Sequence, residues 1–262
     1  MRVVTWNINS VRLRTPLVRQ LTSEIAPNVL CLQETKVVDE LFPHDDLADL
    51  YPHRHVRGMK AYNGVAILSK IPFTETGGRD WCGRTDARHA SVTFDGGVEL
   101  HNFYVPSGGD KPDTNANDKF THKLQFLDEM TAWWVEQSQP QAKRIMVGDL
   151  NIAPLEHDVW SHKQLLNVVS HTPMEVSRLA QVQASHDWVD AVRHFVPNSK
   201  KLYSWWSYRA RDWRASNRGR RLDHVWVTPA LTNNLTAASV FTDARDWAKP
   251  SDHAPVVVDI GL

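Results

Sequence analysis

The chain lacks any run of about 18 apolar residues, so it offers no transmembrane helix. It has only two cysteines in 262 residues, too few for a disulfide framework. Cys31 lies inside the apolar run Val29-Leu30-Cys31-Leu32 and reads as a small buried thiol, and Cys82 stands in no metal-binding pattern. Charge of one sign is also missing: 30 basic residues balance 30 acidic ones. That balance excludes a global basic field and leaves only the local distribution of charge to indicate a partner. No basic stretch with an apolar core precedes the first strand-like segment, and no repeat, low-complexity tract or linker interrupts the chain. The expectation is one domain spanning 1–262, soluble and intracellular.

What is present is a dense succession of strands. Residues 2–6 and 29–33 read as strands around an amphipathic helix at 14–25, with Leu17, Val18, Leu21 and Ile25 on one stripe. A strand–helix–strand order implies parallel neighbours, with Asn7 and Glu34 at corresponding ends. Residues 63–68 and 89–94 are strand-like, and Asp95-Gly96-Gly97 reads as a hairpin turn into a strand at 98–105. The clearest helix covers 117–137, and a buried strand follows at 143–149. Thr172-Pro173-Met174-Glu175 is a capping box with proline at the first helical position, predicting a helix of about ten residues. A second short helix is expected over 186–192, then strands at 222–227, 236–242 and 255–260. These strands outnumber the crossover helices, which predicts an α/β fold of two sheets packed face to face with helices outside.

Polar residues gather where these strands end. Gly148-Asp149-Leu150-Asn151 closes the strand at 143–149, and alternation would bring Asp149 and Asn151 out on one side. Asn7 and Asn9, Gln33-Glu34, Tyr104, Asp223-His224 and Ser251-Asp252-His253 follow the same pattern. Each alone is an ordinary turn, cap or solvated pair. Together, Glu34, Asp149, Asp223 and Asp252 form a set of hard oxygen donors that favours Mg²⁺ or Mn²⁺ over zinc. A histidine beside an aspartate suits proton transfer or phosphate polarisation, and asparagines can orient water without adding charge. The set fits metal-assisted hydrolysis of a phosphodiester.

A second signal lies in residues 200–221, with eight Lys or Arg (Lys200, Lys201, Arg209, Arg211, Arg214, Arg218, Arg220, Arg221) against one acid, Asp212. Tyr203, Trp205, Trp206, Tyr208 and Trp213 are interleaved. Basic groups contact phosphates and aromatics stack on bases or line a pocket for a displaced sugar, so this window points to nucleic acid. The plainer reading is a solvated basic loop whose tryptophans serve the core.

With these residues in view, the chain resembles the exonuclease III-type AP endonucleases of the endonuclease/exonuclease/phosphatase superfamily. Trp6-Asn7-Ile8-Asn9, Leu32-Gln33-Glu34-Thr35-Lys36, Tyr104-Val105-Pro106, Gly148-Asp149-Leu150-Asn151, Tyr203-Ser204-Trp205-Trp206-Ser207-Tyr208-Arg209, Arg221-Leu222-Asp223-His224 and Ser251-Asp252-His253-Ala254-Pro255 occur in the family's order. The resemblance implies a DNase I-like four-layer α/β sandwich with the site at one edge of both sheets. It implies Mg²⁺ (Mn²⁺ as alternative) held chiefly by Glu34 with Asn7 nearby, and Asp252 and Asn9 at a second metal position. Asp149 would align or deprotonate the attacking water and Asn151 would hold it. His253, oriented by Asp223, would contact the scissile phosphate, as would Tyr104; either Asp149 or the Asp223–His253 pair would take the proton. Lys36, Trp205, Leu222 and Asn217 complete the set as substrate-binding candidates, with Trp205 and Leu222 resembling the abasic-sugar pocket. Three positions depart from the pattern: Asn9 stands where some relatives have an acid, Ser107 where others have Asn or Gln, and Arg220 where some place a large apolar residue.

The implied activity is a DNA-repair nuclease, monomeric and cytoplasmic (nucleoid-associated in a bacterium), with no membrane partner. It would cut duplex DNA 5′ to abasic sites and trim blocked or ordinary 3′ ends. The alternatives are a superfamily phosphodiesterase acting on lipid or inositol phosphates, and a DNA-binding module with a decayed site.

Overall fold

Alternating side chains decide how the layers stack. The computed structural model describes residues 1–139 and 141–262. Its strands, in chain order, are β1 (Arg2–Asn7), β2 (Val29–Gln33), β3 (His53–Arg57), β4 (Val65–Ser69), β5 (Phe73–Gly77), β6 (His89–Phe94) and β7 (Val98–Tyr104). They continue with β8 (Lys143–Asp149), β9 (Val189–Asp190), β10 (Trp205–Trp206), β11 (Gly219–Arg220), β12 (Asp223–Val227), β13 (Leu235–Val240) and β14 (Val256–Ile260). The α-helices are α1 (Val11–Ile25), α2 (His44–Leu47), α3 (Asp118–Glu136), α4 (His162–Leu165), α5 (Pro173–Ala184), α6 (Ala191–Phe195) and α7 (Trp213–Ser216). Twelve of the strands form two six-stranded sheets, ordered β13-β14-β1-β2-β4-β3 and β5-β6-β7-β8-β12-β9, and β10 pairs with β11.

One face of each sheet is turned to the other sheet. Val3, Val29, Cys31, Val256 and Val258 meet Leu100, Ile145, Val147 and Val225 there in a continuous apolar cluster. Burying each such side chain contributes about 1.5–3 kcal/mol. The opposite faces carry the helices. Val4, Trp6, Leu30 and Leu32 pack on Leu17, Val18 and Leu21 of α1. Phe103, Met146 and Trp226 pack on Phe126, Leu127, Met130 and Trp134 of α3 and on Leu179 and Val182 of α5. Helix, sheet, sheet and helix make the four-layer α/β sandwich that the sequence implies. No helix among the described residues is long and apolar enough to cross a membrane.

Some elements differ from the sequence reading. The first helix starts at Val11, three residues before the expected 14, because backbone replaces side chain at its cap. Ser10 and Val11 donate their N–H groups to the carbonyls of Glu34 and Thr35, leaving no capping residue to read. The helix expected over 186–192 begins only at Ala191: β9 occupies Val189–Asp190, and the Asp190 carboxylate caps α6 by accepting from Val192 and Arg193 N–H. The strands β3 and β5 were not expected, and both lie at sheet edges.

The register delivers the polar strand ends to one place. β1 and β2 run parallel with Asn7 opposite Gln33, so Glu34 emerges beside Asn7. In the second sheet, Tyr104 of β7 and Asp223 of β12 both lie opposite Asp149 of β8. Thr5, Gln33 and Asn102, each two residues before this edge on its strand or one before Glu34, form a buried polar layer beneath it. Gln33 Nε2 donates to Thr5 Oγ1 at 2.8 Å and to Asn102 Oδ1 at 2.7 Å, tying the two sheets together.

Candidate active site

Asp149 ends β8 on the inter-sheet face, in phase with Ile145 and Val147. The residue before it must be glycine: Gly148 has φ +142°, and a Cβ there would stand 1.9 Å from the Phe103 carbonyl oxygen. The Asp149 carboxylate is almost fully buried and held by two donors, Asn7 Nδ2 to Oδ2 at 2.8 Å and the Asn151 N–H to Oδ1 at 2.9 Å. Asn151 does not reach the site by strand alternation. It lies beyond β8 in the left-handed region (φ 55°), and the Asx turn to Asp149 places it. Its Nδ2 donates to Val105 O at 2.9 Å, which fixes the amide plane.

His253 stands on the other side of Asp149. Its Nδ1 lies 2.8 Å from Asp223 Oδ2, and its Nε2 lies 3.7 Å from Asp149 Oδ2. Burial works against charge on His253, but Asp223 and Asp149 outweigh it and raise the imidazole pKa above its ordinary value. Burial raises the Asp149 carboxyl above the usual carboxylate range, against the opposing pull of His253. The cluster thus pairs a buried proton acceptor with a donor that Asp223 orients. Ligand atoms of Asp149, Asp223 and His253 lie within 4.8 Å of one another, a spacing a metal could also use. A protonated imidazole has no lone pair to offer, however, which takes His253 out of a ligand set.

The hard oxygen donors lie next to this cluster. Glu34 Oε1 accepts from Asn7 Nδ2 and from the Tyr104 hydroxyl, both at 2.9 Å, while Oε2 meets Lys36 Nζ at 2.7 Å. Burial opposes ionisation of Glu34, yet Lys36 and Asn7 hold its carboxyl below the usual range. Tyr104 is pushed well above the ordinary phenol value, by burial first and then by Glu34, so its O–H stays a donor. Asn9 and Asp252 form an adjoining unit: Asn9 Nδ2 donates to Asp252 Oδ1 at 3.1 Å, and Asn9 Oδ1 accepts from Lys36 Nζ at 2.6 Å. Trp205 Nε1 takes the other Asp252 oxygen at 2.9 Å.

The cluster opens into a cavity of about 700 Å³. Glu34, Tyr104, Asn151, Asp252 and His253 form its floor, and Trp205, Leu222, Trp160, Arg209, Arg218 and Arg220 rise from it. A surface groove of about 740 Å³ between Arg12, Arg19 and Asp49 holds no member of the cluster. The structure therefore gathers Asn7, Asn9, Glu34, Lys36, Tyr104, Asp149, Asn151, Trp205, Leu222, Asp223, Asp252 and His253. Asn217 stands apart: it is exposed at the end of α7, and its side-chain oxygen accepts from Trp206 Nε1 at 3.1 Å.

The basic window divides in the same way. Arg221 turns inward to Asp158 and Asp190, and Arg214 pairs with Asp246 on the surface. Tyr203 and Trp206 are core residues, while Arg209, Arg218, Arg220 and Trp205 face the cavity. The tryptophan that serves the core fits the plainer reading, while Trp205 and three arginines of the window line the cavity.

Three supporting residues are given no role by the sequence alone. The Ser204 hydroxyl donates to Asp223 Oδ2 at 2.6 Å, and Ser251 Oγ donates to Asn7 O at 2.6 Å while accepting from His253 N–H. Lys123 is fully buried on α3, and its Nζ donates to Asn151 O at 2.8 Å and to Glu175 Oε1 at 2.5 Å. A lysine within the apolar stripe of Phe120, Leu124 and Leu127 was the available signal.

Comparison with known proteins agrees with this geometry. The family model described as "Endonuclease/Exonuclease/phosphatase family" matches residues 4–253. Exodeoxyribonuclease III of Haemophilus influenzae is 28% identical over 268 residues, covering 98% of each chain. The structure of an AP endonuclease from Archaeoglobus fulgidus superposes with a TM-score of 0.93 at 28% identity, covering 100% of both chains. The 3′ phosphatase NExo from Neisseria, solved with a product DNA hairpin, gives 0.91 at 27% over 100% of both. With the family model matching nearly the full length, the chain belongs to the endonuclease/exonuclease/phosphatase family.

Proposed function

We propose that the chain is a metal-dependent DNA-repair nuclease of the exonuclease III type, which hydrolyses duplex DNA 5′ to abasic sites and frees blocked 3′ ends. The observation that carries this reading is the buried Asp149–His253–Asp223 cluster opening into a cavity walled by arginine and tryptophan. The names of the similar proteins, an exodeoxyribonuclease III and an AP endonuclease, support it.

The residues present fit a hard divalent ion. Glu34 and Asp149, both carboxylates, share one neutral donor, Asn7 Nδ2, and every candidate ligand beside it is oxygen. Glu34, with Asn7, would hold Mg²⁺ or Mn²⁺; Asp252, both of whose oxygens are already hydrogen-bonded, would be a secondary ligand with Asn9. When bound, such an ion supplies positive charge to the scissile phosphate.

The side chains do the rest. Asp149, fixed by Asn7 and the Asn151 N–H, takes the proton of the attacking water, which the free Oδ1 of Asn151 positions. The water oxygen bonds to phosphorus, the bond from phosphorus to the 3′ oxygen breaks, and that oxygen takes a proton from solvent water to leave a 3′ hydroxyl. His253, kept protonated by Asp223, and the Tyr104 hydroxyl donate to the phosphate as its charge develops. Trp205 and Leu222 receive the displaced abasic sugar. Incubation with an abasic-site duplex and Mg²⁺, beside a recessed 3′ end, tests this: incision of the first and shortening of the second are expected. No cleavage of either, while a control nuclease cuts both, rejects the reading.

A further inference from the structure

Adjacent arginines on β11 and the turn after it meet opposite fates. Arg221 is buried between two carboxylates, Asp158 and Asp190. Arg220 lies against the cavity and, among the described residues, has no carboxylate partner. Its guanidinium carbon stands 5.4 Å from the Trp205 ring, and its Nη1 donates to Val169 O at 3.0 Å and to Ser170 Oγ at 2.7 Å. Both bonds use one nitrogen, and the buried Nε has no partner among the described residues. The side chain is thus clamped in place with donors to spare.

Arg220 is half-buried and held on the cavity wall with no carboxylate bonded to it, so it can meet an anion that enters the cavity. With both Nη1 protons donated and Nε buried, Nη2 is the donor left to meet a carboxylate or phosphate in a charge-assisted hydrogen bond. The neighbouring walls reinforce the sign: Arg209 and Arg218 line the same cavity, and Arg218 lies 4.8 Å from the Trp160 ring. Of the three acids that line the cavity, Glu34 and Asp252 are engaged by Lys36, Asn9 and Trp205, and Asp110 forms no ion pair with Arg220. Arg220 also stands beside Leu222 and Trp205, where a neutral sugar would want an apolar slot.

We infer that Arg220 is a specificity-determining residue that selects DNA ends whose fragment beyond the scissile phosphate carries a further anion, a carboxylate or phosphate, over ends with a neutral fragment. This rests on the nuclease reading above. The bond change is the one already given: water adds to phosphorus, the bond to the 3′ oxygen breaks, that oxygen takes a proton, and the fragment leaves with its phosphate.

Two synthetic duplex ends of matched size separate charge from shape. One carries a 3′-phosphoglycolate, the other a 3′-(2-hydroxyethyl) phosphate, in which a hydroxymethyl group replaces the carboxylate. The wild-type protein with Mg²⁺ is expected to favour the phosphoglycolate by about tenfold or more in kcat/KM, the scale of one charge-assisted hydrogen-bonded pair. Arg220→Leu should bring the ratio close to one while keeping cleavage of the neutral end. Arg220→Lys, which keeps the charge but loses the clamp on Val169 and Ser170 that aims it, should fall between. A brace for Val169 and Ser170 alone would lower both rates together and leave the ratio untouched. A wild-type ratio near one, or a ratio unchanged in both variants, overturns the inference. If the wild type cuts the abasic duplex but shows no preference between the ends, the nuclease reading stands and only the role of Arg220 falls. If it cuts nothing, both fall.

Discussion

Ser204 accepts the N–H groups of Leu222 and Asp223, both at 3.0 Å, and donates its hydroxyl to the Asp223 carboxylate. The other Asp223 oxygen has no partner among the described residues, so Ser204 and His253 alone fix the carboxylate. A hydrogen bond to a charged group contributes about 1.5–3 kcal/mol, so Ser204→Ala should lower kcat by roughly tenfold or more. KM should change little, because Ser204 does not line the cavity; a rise in KM with kcat intact would contradict the positioning role. Asp149→Asn removes the proton acceptor at nearly the same size, and its NH2 must face one of the two donors, Asn7 Nδ2 or the Asn151 N–H. Incision should fall by at least about 100-fold, the lower end of what a general base contributes, in a protein that circular dichroism still shows folded. Turnover near the wild-type level would reject Asp149 as the base. Chelation by EDTA should abolish cleavage, and added Mg²⁺ should restore it. Glu34→Gln should demand more Mg²⁺ for half-maximal activity, read from a titration of rate against ion.

Lys123 and Glu175 join α3 to the capping box of α5 across a fully buried ion pair, 2.5 Å long. Glu175 also accepts from the N–H of Ser170 and the hydroxyl of Thr172, while Lys123 holds the carbonyls of Ser107 and Asn151. Two helices therefore brace the loop that carries a site residue. Lys123→Met strands the Glu175 charge and should destabilise the fold by about 3–5 kcal/mol. The double variant Lys123→Met/Glu175→Met should recover part of that loss, measured by urea unfolding, and an additive double variant would rule out coupling. The elements most readable in the sequence were a strand buried on both faces and a helix with one long apolar stripe. The strand expected at 143–149 has the same bounds as β8, and the helix expected over 117–137 contains α3 (Asp118–Glu136). The edge strands β3, His-Arg-His-Val-Arg, and β5, Phe-Thr-Glu-Thr-Gly, have solvent on one side and carry no such pattern. The polar strand ends were legible because strand registry alone brings Tyr104, Asp149 and Asp223 level. The braces were not, because Ser204, Ser251 and Lys123 act through contacts between segments distant in the chain. The inward turn of Arg221 likewise depends on Asp158 and Asp190, which no local pattern links to it.

Across the whole molecule, buried histidines set how the fold responds to acid. His224 is fully buried beside Arg221, its Nε2 lies 2.8 Å from Ile152 O, and burial with Arg221 lowers its pKa to about 4. His89 lies flat on Phe103, 4.1 Å between ring centroids, with its Nε2 3.1 Å from His101 Nδ1, and burial holds its pKa well below the ordinary value. Both rings are therefore neutral in the fold, and both charge readily in the unfolded chain, whose histidines titrate near 6.5. Above that pH neither state binds the extra proton, and these rings add no pH dependence. As pH falls from about 6.5 towards about 4, the unfolded chain takes up protons that the fold refuses, so stability declines over that interval. Each fully buried histidine contributes a slope of at most about 1.4 kcal/mol per pH unit. The paired carboxylates act in a lower window. Arg221 overcomes burial to hold Asp190 below its ordinary value, and His101 and then Arg144 draw Glu99 down to about 2. Their contribution is intact above the unfolded values near 4 and is lost only below them. Asp149 and His253 oppose this loss at first, because burial in the one and the carboxylates Asp223 and Asp149 beside the other raise their pKa values, so the fold binds their protons before the unfolded chain does. Below about pH 6 the buried neutral rings outnumber that one carboxyl. Urea unfolding at pH 7.5, 6.0 and 5.0 measures the balance: the free energy should fall from 6.0 to 5.0, whereas equal or greater stability at 5.0 would show that the buried rings accept protons without cost.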